Sequence, residues 1–447
     1  MMTLSAAAKA MNGTLSGADG EFTGVSIDTR TLSPGDVYFA VKGPRFDGHN
    51  FVTGALNAGA TAAVVSRALE VNAPLIEVED TRIALGDLGA EWRTRFAYPV
   101  IGVTGSNGKT TVKEMIASIM GIRHTGLSTR GNLNNDLGVP LTLLRMREHD
   151  QYAVIEMGMN HTGEIYYLTT MAKPNIAVIT NAAEAHLEGL GSVEAVAHAK
   201  GEILSGLPRD GVAIINADDT YAGLWVEMAE GRPIVSFGLE YEADVRCEYK
   251  LHGDCSDIHL ITNQGKIDMR LSILGKHNVL NAMAASAASI AAGATLEDVR
   301  AGLEKLRAVS GRLETKQGIN GARVIDDTYN ANPASVSAGL EVLKNTGGET
   351  ILVLGDMGEL GDAGPMIHRR VGELAKRVGV SRLFVIGNLA QHAAAGYGAS
   401  ARHYQDADSL VEDLIDCLHS DATVLVKGSR LMKMETVVSG ITNVNKS

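Results

Sequence analysis

The sequence predicts an α/β fold of three domains. Its 447 residues correspond to three domains of about 150 residues, and a composition that is 45% hydrophobic supplies apolar side chains for three cores. Short β-branched runs alternate with turns and helical patterns, and the 50 glycines suit the many turns that such alternation requires. We expect domains at 1–82, 83–311 and 312–447, with short joints near 82 and 311 that act as hinges.

The opening eighty residues predict a small α/β domain. Three short β-branched runs fall at 25–30, 36–43 and 61–66. A helical pattern occupies about Phe51 to Ala58, between the last two of these runs. The pattern indicates a short sheet with one covering helix.

The middle of the chain predicts a P-loop-type parallel sheet with helices on both faces. Its strand candidates are apolar throughout, which is typical of parallel strands that are covered on both sides. They lie at 99–103, 153–158, 175–181 and 211–216. From about 244 to 274 the pattern alternates, which predicts a small antiparallel or mixed sheet, followed by helices at about 278–292 and 296–306.

The last third of the chain predicts a second doubly wound unit, a Rossmann-like domain. Apolar runs again end in polar loops and are separated by helical patterns. The strand candidates are 322–327, 350–356, 382–387 and 423–428, and the helix candidates are about 333–344, 366–378 and 408–419.

Composition argues against several classes of partner. The formal net charge is −12 and only 4% of residues are aromatic, so nucleic acid is excluded as the main partner. The three cysteines show no paired spacing, which favours structural thiols in a reducing compartment. The N-terminus lacks the pattern of a secretory signal, and the longest apolar tract, 282–294, is too short to span a membrane. We therefore expect a cytoplasmic protein with no membrane span.

A glycine-rich turn between a buried strand and a helix predicts a phosphate-binding loop. Gly105 and Gly108 let backbone amides approach phosphate oxygens, Lys109 supplies a positive charge, and Thr110 or Thr111 offers a hydroxyl to Mg²⁺. The loop departs from the strict G-x-x-x-x-G-K-[ST] pattern, whose first glycine is replaced by Val103. The candidate nucleotide-binding residues of the loop are Gly105, Ser106, Asn107, Gly108, Lys109, Thr110 and Thr111.

Two further strand ends carry candidate metal ligands. Glu156 ends one apolar run and His186 follows another. Because ligands of open α/β sheets bind outside the carboxyl ends of the strands, both side chains should converge with Lys109. Each has a structural alternative, since Glu156 could cap the next helix and a lone histidine is more often satisfied within the fold.

Other polar positions stay ambiguous from pattern alone. Lys200 fits an exposed lysine on a helix. Asn278 and Asn281 lie three residues apart on one helix face, where they would hold a nucleobase edge or cap the helix. Two polar loops, at 311–314 and 326–333, could each contact a ligand or form a structural turn. The same two alternatives remain for the strand ends at 355–361 and 426–430.

Taken together, these motifs resemble the Mur ligase family over nearly the whole chain. The segments that carry the resemblance are TGSNGKTT, EMG, AHLEGLGS, AKGEI, GKHNVLNA and GRLE, together with FAVKGPRFDGHNF, TRGNLNNDLGVPLTLL, DDTYNANP, GDMGELG and VKGSR. The family's phosphate loop has the same displaced first glycine. The resemblance implies ATP-dependent amide ligation in peptidoglycan synthesis, with ATP and two Mg²⁺ ions.

The resemblance also assigns roles to individual residues. It implies that Mg²⁺ is bound by Thr110 or Thr111, Glu156, His186 and a carbamylated Lys200, with Lys109 on the phosphates. Carbamylation would turn the lysine cation into an anionic oxygen ligand, which suits a hard metal. The implied ATP contacts beyond the loop are Asn278, Asn281, Arg312, Asp327 and Asn330. The implied substrate contacts are Thr29, Arg30, Lys42, Gly43, Asn134, Asn135, Asp356, Lys427 and Arg430.

The member-specific segments imply which ligation takes place. They indicate an ADP-forming enzyme that joins D-Ala-D-Ala to UDP-N-acetylmuramoyl-tripeptide through an acyl phosphate, acting as a monomer. One alternative is another Mur-type ligase or a folylpolyglutamate-type ligase. The other is a non-catalytic switch in which ATP only closes the domains.

Overall fold

The computed structural model describes residues 1–442, and its opening part is a small α/β unit. A five-stranded sheet has the order β2-β7-β6-β5-β4, in which β2 alone is antiparallel to its neighbour, and β1 pairs with β3. The elements are β1 (Met2–Thr3), α1 (Leu4–Ala10), β2 (Thr14–Ser16), β3 (Glu21–Phe22), β4 (Gly24–Ser26), β5 (Asp36–Phe39), α2 (Val52–Asn57), β6 (Ala62–Val65), β7 (Leu75–Glu77) and α3 (Thr81–Arg93).

The middle part contains a six-stranded parallel sheet of order β13-β12-β11-β8-β10-β9. The alternating segment forms a separate antiparallel sheet, β14-β15-β16. The elements are β8 (Val100–Thr104), α4 (Lys109–Met120), β9 (Gly126–Ser128), α5 (Gly138–Leu143), β10 (Tyr152–Glu156), α6 (Glu164–Ala172), β11 (Ile176–Ile179), α7 (Leu187–Leu190), α8 (Val193–Gly201), β12 (Val212–Asn216), α9 (Ala222–Met228), β13 (Ile234–Phe237), β14 (Arg246–Leu251), β15 (Ser256–Thr262), β16 (Gly265–Leu271), α10 (Lys276–Ala291) and α11 (Leu296–Lys305).

The last part contains a second six-stranded sheet of order β17-β18-β22-β19-β20-β21, parallel except for β17. The elements are β17 (Glu314–Gln317), β18 (Arg323–Asp327), α12 (Pro333–Lys344), β19 (Glu349–Gly355), α13 (Gly364–Arg377), β20 (Arg382–Ile386), α14 (Gln391–Tyr397), β21 (Arg402–Tyr404), α15 (Ala407–Ile415), β22 (Ala422–Lys427) and α16 (Glu435–Ile441).

The predicted three-part α/β fold is confirmed, with helices on both faces of the central sheet. One apolar cluster runs from the opening sheet through α3 to one face of the central sheet and includes Phe39, Leu85 and Ile155. The other face packs against α4 and α10. The last sheet has a cluster of its own on each face. No helix within residues 1–442 is both long and apolar enough to cross a bilayer.

Helix α3 is an element that the sequence patterns did not predict. Two glycines inside it, Gly86 and Gly89, weaken the helical signal. They are there because neighbouring helices approach closely: a Cβ on Gly86 would lie 2.2 Å from Tyr167 Oη, and one on Gly89 would lie 2.8 Å from Pro140 Cβ. Tertiary packing therefore stabilises this helix although its local sequence has a low helix propensity.

Candidate active site

The phosphate-binding loop joins β8 to α4 in a conformation that requires glycine at two positions. Gly105 has φ +147° and Gly108 has φ +82°. A Cβ on Gly105 would lie 1.9 Å from Thr180 Oγ1, and one on Gly108 would lie 2.4 Å from Asn281 Oδ1. The loop is thus held against β11 and α10, with the start of α4 directed at the cavity that the loop borders.

Asn181 anchors the loop and was not among the predicted site residues. Its backbone oxygen accepts from Ser106 N at 2.9 Å, and its Oδ1 accepts from Asn107 N at 2.9 Å. Asn181 lies two residues after the apolar strand β11, so its position near the carboxyl end of a strand was the available signal.

Lys109 folds back over the loop. Its Nζ donates to Gly105 O at 2.5 Å and to Ser106 O at 3.3 Å. Burial lowers the pKa of Lys109, while the nearby carboxylate of Glu156 acts in the opposite direction. These carbonyl contacts hold the ammonium group at the mouth of the loop.

Glu156 lies at the centre of a buried hydrogen-bond network. Its side chain accepts from Thr110 Oγ1 at 2.9 Å and from Asn134 Nδ2 at 2.8 Å, and the residue is 2% exposed. The contacts join the loop helix, the end of β10 and the segment before α5. Thr111 is also buried and borders the same cavity. Asn135 is exposed but lines the cavity too, and its Oδ1 accepts from Gly138 N at 2.9 Å.

His186 faces a carboxylate from the last part of the chain. Its Nδ1 lies 2.6 Å from Glu359 Oε2, an ion-pair distance, although the angle is not that of a hydrogen bond. The His186 contact holds the pKa of Glu359 below its usual value. The resemblance assigns the segment that contains Glu359 to the dipeptide site, and its contact with His186 was not predicted.

Lys200 is fully buried, so its interpretation as an exposed helix lysine is wrong. It is 0% exposed, and its Nζ has no hydrogen-bond partner. Burial, followed by repulsion from Lys109, lowers its pKa well below the usual value. The signal was available, because Lys200 lies four residues after Val196 and three after Ala197, which places it on the buried face of α8.

The two amides on α10 are partly engaged with the protein. Asn278 Nδ2 donates to Leu274 O at 2.8 Å, and Asn281 Nδ2 donates to Asn278 Oδ1 at 2.9 Å. Both residues are buried and border the cavity. One amide thus supports the start of the helix, and the pair still presents one polar face to the cavity.

The last part of the chain reaches the loop through two side chains. Arg312 Nη2 donates to Thr110 Oγ1 at 2.9 Å, and its guanidinium stacks 4.0 Å above the ring of Tyr329. Asn332 Nδ2 donates to Asn107 Oδ1 at 2.9 Å. Tyr329 and Asn332 belong to the DDTYNANP segment, although neither was a named site residue.

Asp327 and Lys427 form a second polar centre. Lys427 Nζ lies 2.5 Å from Asp327 Oδ2 and donates to Asn330 O at 2.9 Å. Burial raises the pKa of Asp327, while the Lys427 ammonium group opposes that rise. Burial also lowers the pKa of His277, on the facing end of α10, to about 4, with Lys427 adding to the effect.

A single cleft of about 1440 Å³ brings most predicted residues together. Those that line it are Ser106, Asn107, Gly108, Lys109, Thr110, Thr111, Asn134, Asn135, Glu156, His186, Asn278, Asn281, Arg312, Asp327, Asn330, Lys427 and Arg430. Lys200 and Gly105 are buried outside this lining.

Asp356 is turned away from the cleft. Its Oδ1 accepts from Leu389 N at 2.9 Å and from Ala390 N at 2.7 Å, which fixes the loop before α14. The structure therefore gives this carboxylate a local structural contact.

The predicted nucleotide-sugar residues also lie outside the cleft lining. Thr29 and Arg30 follow β4, and Lys42 and Gly43 follow β5. Since these strands are parallel neighbours, the two loops share one edge of the opening sheet. The Arg30 side chain is 86% exposed and pairs with Asp28 at 2.6 Å.

Comparison with known proteins decides the family. Three family models match: "Mur ligase family, catalytic domain" at residues 21–93, "Mur ligase middle domain" at 103–289 and "Mur ligase, glutamate ligase domain" at 311–430. The chain belongs to the Mur ligase family. The UDP-N-acetylmuramoyl-tripeptide–D-alanyl-D-alanine ligase of Escherichia coli (strain K12) is 42% identical to this Mur ligase over 444 residues, which cover 98% of each chain.

Solved structures agree with this assignment. A crystal structure of MurF from Acinetobacter baumannii matches this Mur ligase with a TM-score of 0.92 and 37% identity over 97% of each chain. MurF from Thermotoga maritima, in complex with ADP, matches with a TM-score of 0.83 and 26% identity, covering 93% of this chain and 96% of that one.

The residues at the cleft of this Mur ligase fit a hard metal ion when a hydroxyl group and a modified lysine are counted among the ligands. Within residues 1–442, no cluster of three His, Cys, Asp or Glu side chains could hold a metal. Glu156 and His186 contribute two donors, and Thr110 adds a hydroxyl oxygen. The buried Lys200 amine, which lacks any partner, fits conversion to a carbamate oxygen ligand.

Proposed function

We propose that this Mur ligase joins D-Ala-D-Ala to UDP-N-acetylmuramoyl-tripeptide, with ATP converted to ADP and phosphate. The observation that carries the proposal is the single cleft in which the loop of the central sheet meets Arg312, Asp327 and Lys427 from the last part. The full-length similarity to a ligase named for these substrates supports it, as does the ADP complex of a related MurF. We place the enzyme in the cytoplasm, as a monomer.

The chain's own groups would act by positioning and by charge. The reaction activates the tripeptide carboxylate as an acyl phosphate, which the dipeptide amine then attacks. Negative charge develops on the transferring phosphoryl group. Lys109 is held against the phosphate loop, where its positive charge would stabilise that negative charge. Arg312 brings a second cation from across the cleft, and stacking on the Tyr329 ring orients its guanidinium group. Asn278 and Asn281 would receive the adenine edge, with Asp327 and Asn330 on the opposite wall.

The metal site would be formed by Thr110 or Thr111, Glu156, His186 and carbamylated Lys200. Two Mg²⁺ ions bound there would neutralise charge on the phosphate oxygens. The polar network of Thr110, Glu156 and Asn134 already holds the carboxylate in one orientation. Burial favours a neutral Lys200 amine, which is the form that reacts with carbon dioxide.

The two peptide substrates would bind at different sets of residues. Thr29, Arg30, Lys42 and Gly43 mark one sheet edge for the uridine nucleotide, and Asn134 and Asn135 would border the sugar-peptide arm. Lys427 and Arg430, two of the cations in the cleft lining, would bind the dipeptide carboxylate. Asp356 would act indirectly, by fixing the backbone near Leu389. The proposed domains remain 1–82, 83–311 and 312–447.

A competition assay tests this function. The enzyme is incubated with Mg-ATP, UDP-N-acetylmuramoyl-tripeptide and equal D-Ala-D-Ala and D-Ala, and product masses are read. The dipeptide adduct should dominate, and the rate should rise with pH towards about 8, where an α-amine loses its proton. A dominant D-Ala adduct would assign the chain to another ligase of the family. Phosphate release without either acceptor would instead favour the ATP-dependent switch.

A further inference from the structure

We infer that Glu359 is a positioning residue that completes the metal site across the domain interface, by fixing the ring of His186. The inference rests on the proposed function, because it supposes a metal ion at Thr110, Glu156 and His186. Glu359 belongs to the last part of the chain, whereas the ligands belong to the central part. Metal affinity and closure of the last part would therefore be coupled.

The geometry gives Glu359 one specific partner. His186 Nδ1 is buried and lies 2.6 Å from Glu359 Oε2. Because Nδ1 faces the carboxylate, Nε2 is the ring nitrogen left for a metal ion. Histidines that bind metals usually direct the second ring nitrogen at a carboxylate or carbonyl, which fixes the tautomer and the ring orientation.

The backbone on both sides of this contact is held in an unusual conformation. His186 has φ +56° and Glu359 has φ +62°, so two residues other than glycine occupy the left-handed region and face each other. Such conformations persist only where the surroundings enforce them, and they concentrate at functional sites. Glu188 N also approaches Glu359 O at 3.4 Å, so the two loops meet through both backbone and side chain.

Coupling follows from the placement of the pair. When the last part moves away, Glu359 leaves with it and His186 loses the group that orients its ring. Closure therefore raises the affinity for the metal, and by reciprocity a bound metal favours closure by the same factor. Neither residue needs to contact the reacting atoms for this effect.

The test measures Mn²⁺ binding rather than turnover. Free Mn²⁺ is followed by electron paramagnetic resonance as it is titrated into full-length enzyme with saturating ADP, with ADP alone as the blank. Glu359→Ala should weaken binding by about tenfold or more, as loss of the partner of a metal-bound histidine does elsewhere. Glu359→Gln, which keeps an oxygen that can face Nδ1, should retain most of the affinity.

Glu184→Ala is the matched control. Glu184 pairs with Arg370 at 3.4 Å across the same interface but contacts no metal ligand. Because that pair is exposed, its loss should change the Mn²⁺ affinity by no more than about twofold. Equal affinity in Glu359→Ala and wild type would overturn the inference, as would an equal loss in Glu184→Ala. Dipeptide ligation by wild type in the competition assay would leave the proposed function standing in either case.

Discussion

Two lysines near the same cleft have opposite electrostatic surroundings. Burial lowers the pKa of both lysines. At Lys109 the largest effect after burial is the opposing charge of Glu156, whereas at Lys200 it is repulsion from Lys109, which lowers the pKa further. Lys109 also donates to two carbonyl oxygens, while Lys200 Nζ has no partner. The first lysine is thus suited to act as a cation and the second as a neutral amine.

Lys109→Ala should lower kcat by about three orders of magnitude, because a preorganised cation at the transferring phosphoryl group is lost. The midpoint of thermal unfolding should change little. The control is Lys113→Ala on the same helix: Lys113 is 1% exposed, and its Nζ donates to Thr129 O at 2.7 Å. That variant should lower the unfolding midpoint clearly. Near-normal turnover in Lys109→Ala would refute its role.

Lys200→Ala should be nearly inactive and should regain part of its activity with millimolar acetate or formate, because a small carboxylate can take the place of the carbamate oxygens. Initial rates with and without the acid provide the measurement. Lys109→Ala serves as the control, since an added anion cannot replace a cation and no rescue is expected. Full activity of Lys200→Ala in the absence of acid would contradict the assignment.

Residue roles were predictable from sequence only where a side chain directly ends a strand or begins a helix. Glu156 and Lys109 meet that condition, and the structure brings them together at the cleft. The exposed-helix interpretation of Lys200 is wrong because its spacing from Val196, and not its charge, determines which face of α8 it occupies. Asp356 also ends a strand, but two backbone amides from a distant loop hold its carboxylate, and no local pattern contains that information.

Helix α12 shows how one element serves both folding and the site. Its N-cap is Asn332, whose side chain accepts from Ser335 N at 2.8 Å in a capping box. The same side chain donates to Asn107 of the phosphate loop. The start of this helix is thus fixed against the nucleotide site by the residue that caps it.

Asn332→Ala should cost about 1 kcal/mol of unfolding free energy through loss of the cap, and should also raise KM for ATP. Asp406→Ala separates the two effects, since Asp406 caps α15 by accepting from Ser409 N at 2.8 Å, far along the chain from the loop. It should cost a similar free energy with unchanged KM. Chemical denaturation and steady-state kinetics measure both; an unchanged KM in Asn332→Ala would argue against a role of α12 at the nucleotide.

Most strands and most of the longer helices, α3 excepted, followed from sequence because buried parallel strands are apolar throughout and α12 begins with Asn-Pro. The predicted helix at 333–344 agrees with α12 at Pro333–Lys344. The edge strand β9 and the short α14 were not predicted. Each is short, with three and seven residues, and depends on neighbours for its stability.

Over the whole molecule, the three parts are joined by different kinds of contact. The opening and central parts share one apolar cluster through α3. The clusters of the last part include only Leu274 from the central part. The last part meets the cleft and its rim through polar pairs, which are Arg312–Thr110, Asn332–Asn107, Glu359–His186 and Arg370–Glu184. Polar contacts of this kind are weak in water, so movement of the last part against the other two is expected.

Binding of a non-hydrolysable ATP analogue with Mg²⁺ should therefore compact the enzyme, because the nucleotide adds contacts that exist only when the last part is closed. Small-angle X-ray scattering should show a smaller radius of gyration. Arg312→Ala should lose most of this compaction, since its guanidinium is the cation that reaches the phosphate loop from the last part. Arg370→Ala also removes one interdomain arginine, but its pair with Glu184 is exposed and lies outside the cleft lining, so the compaction should persist. Full compaction in Arg312→Ala would show that closure depends on contacts other than this arginine.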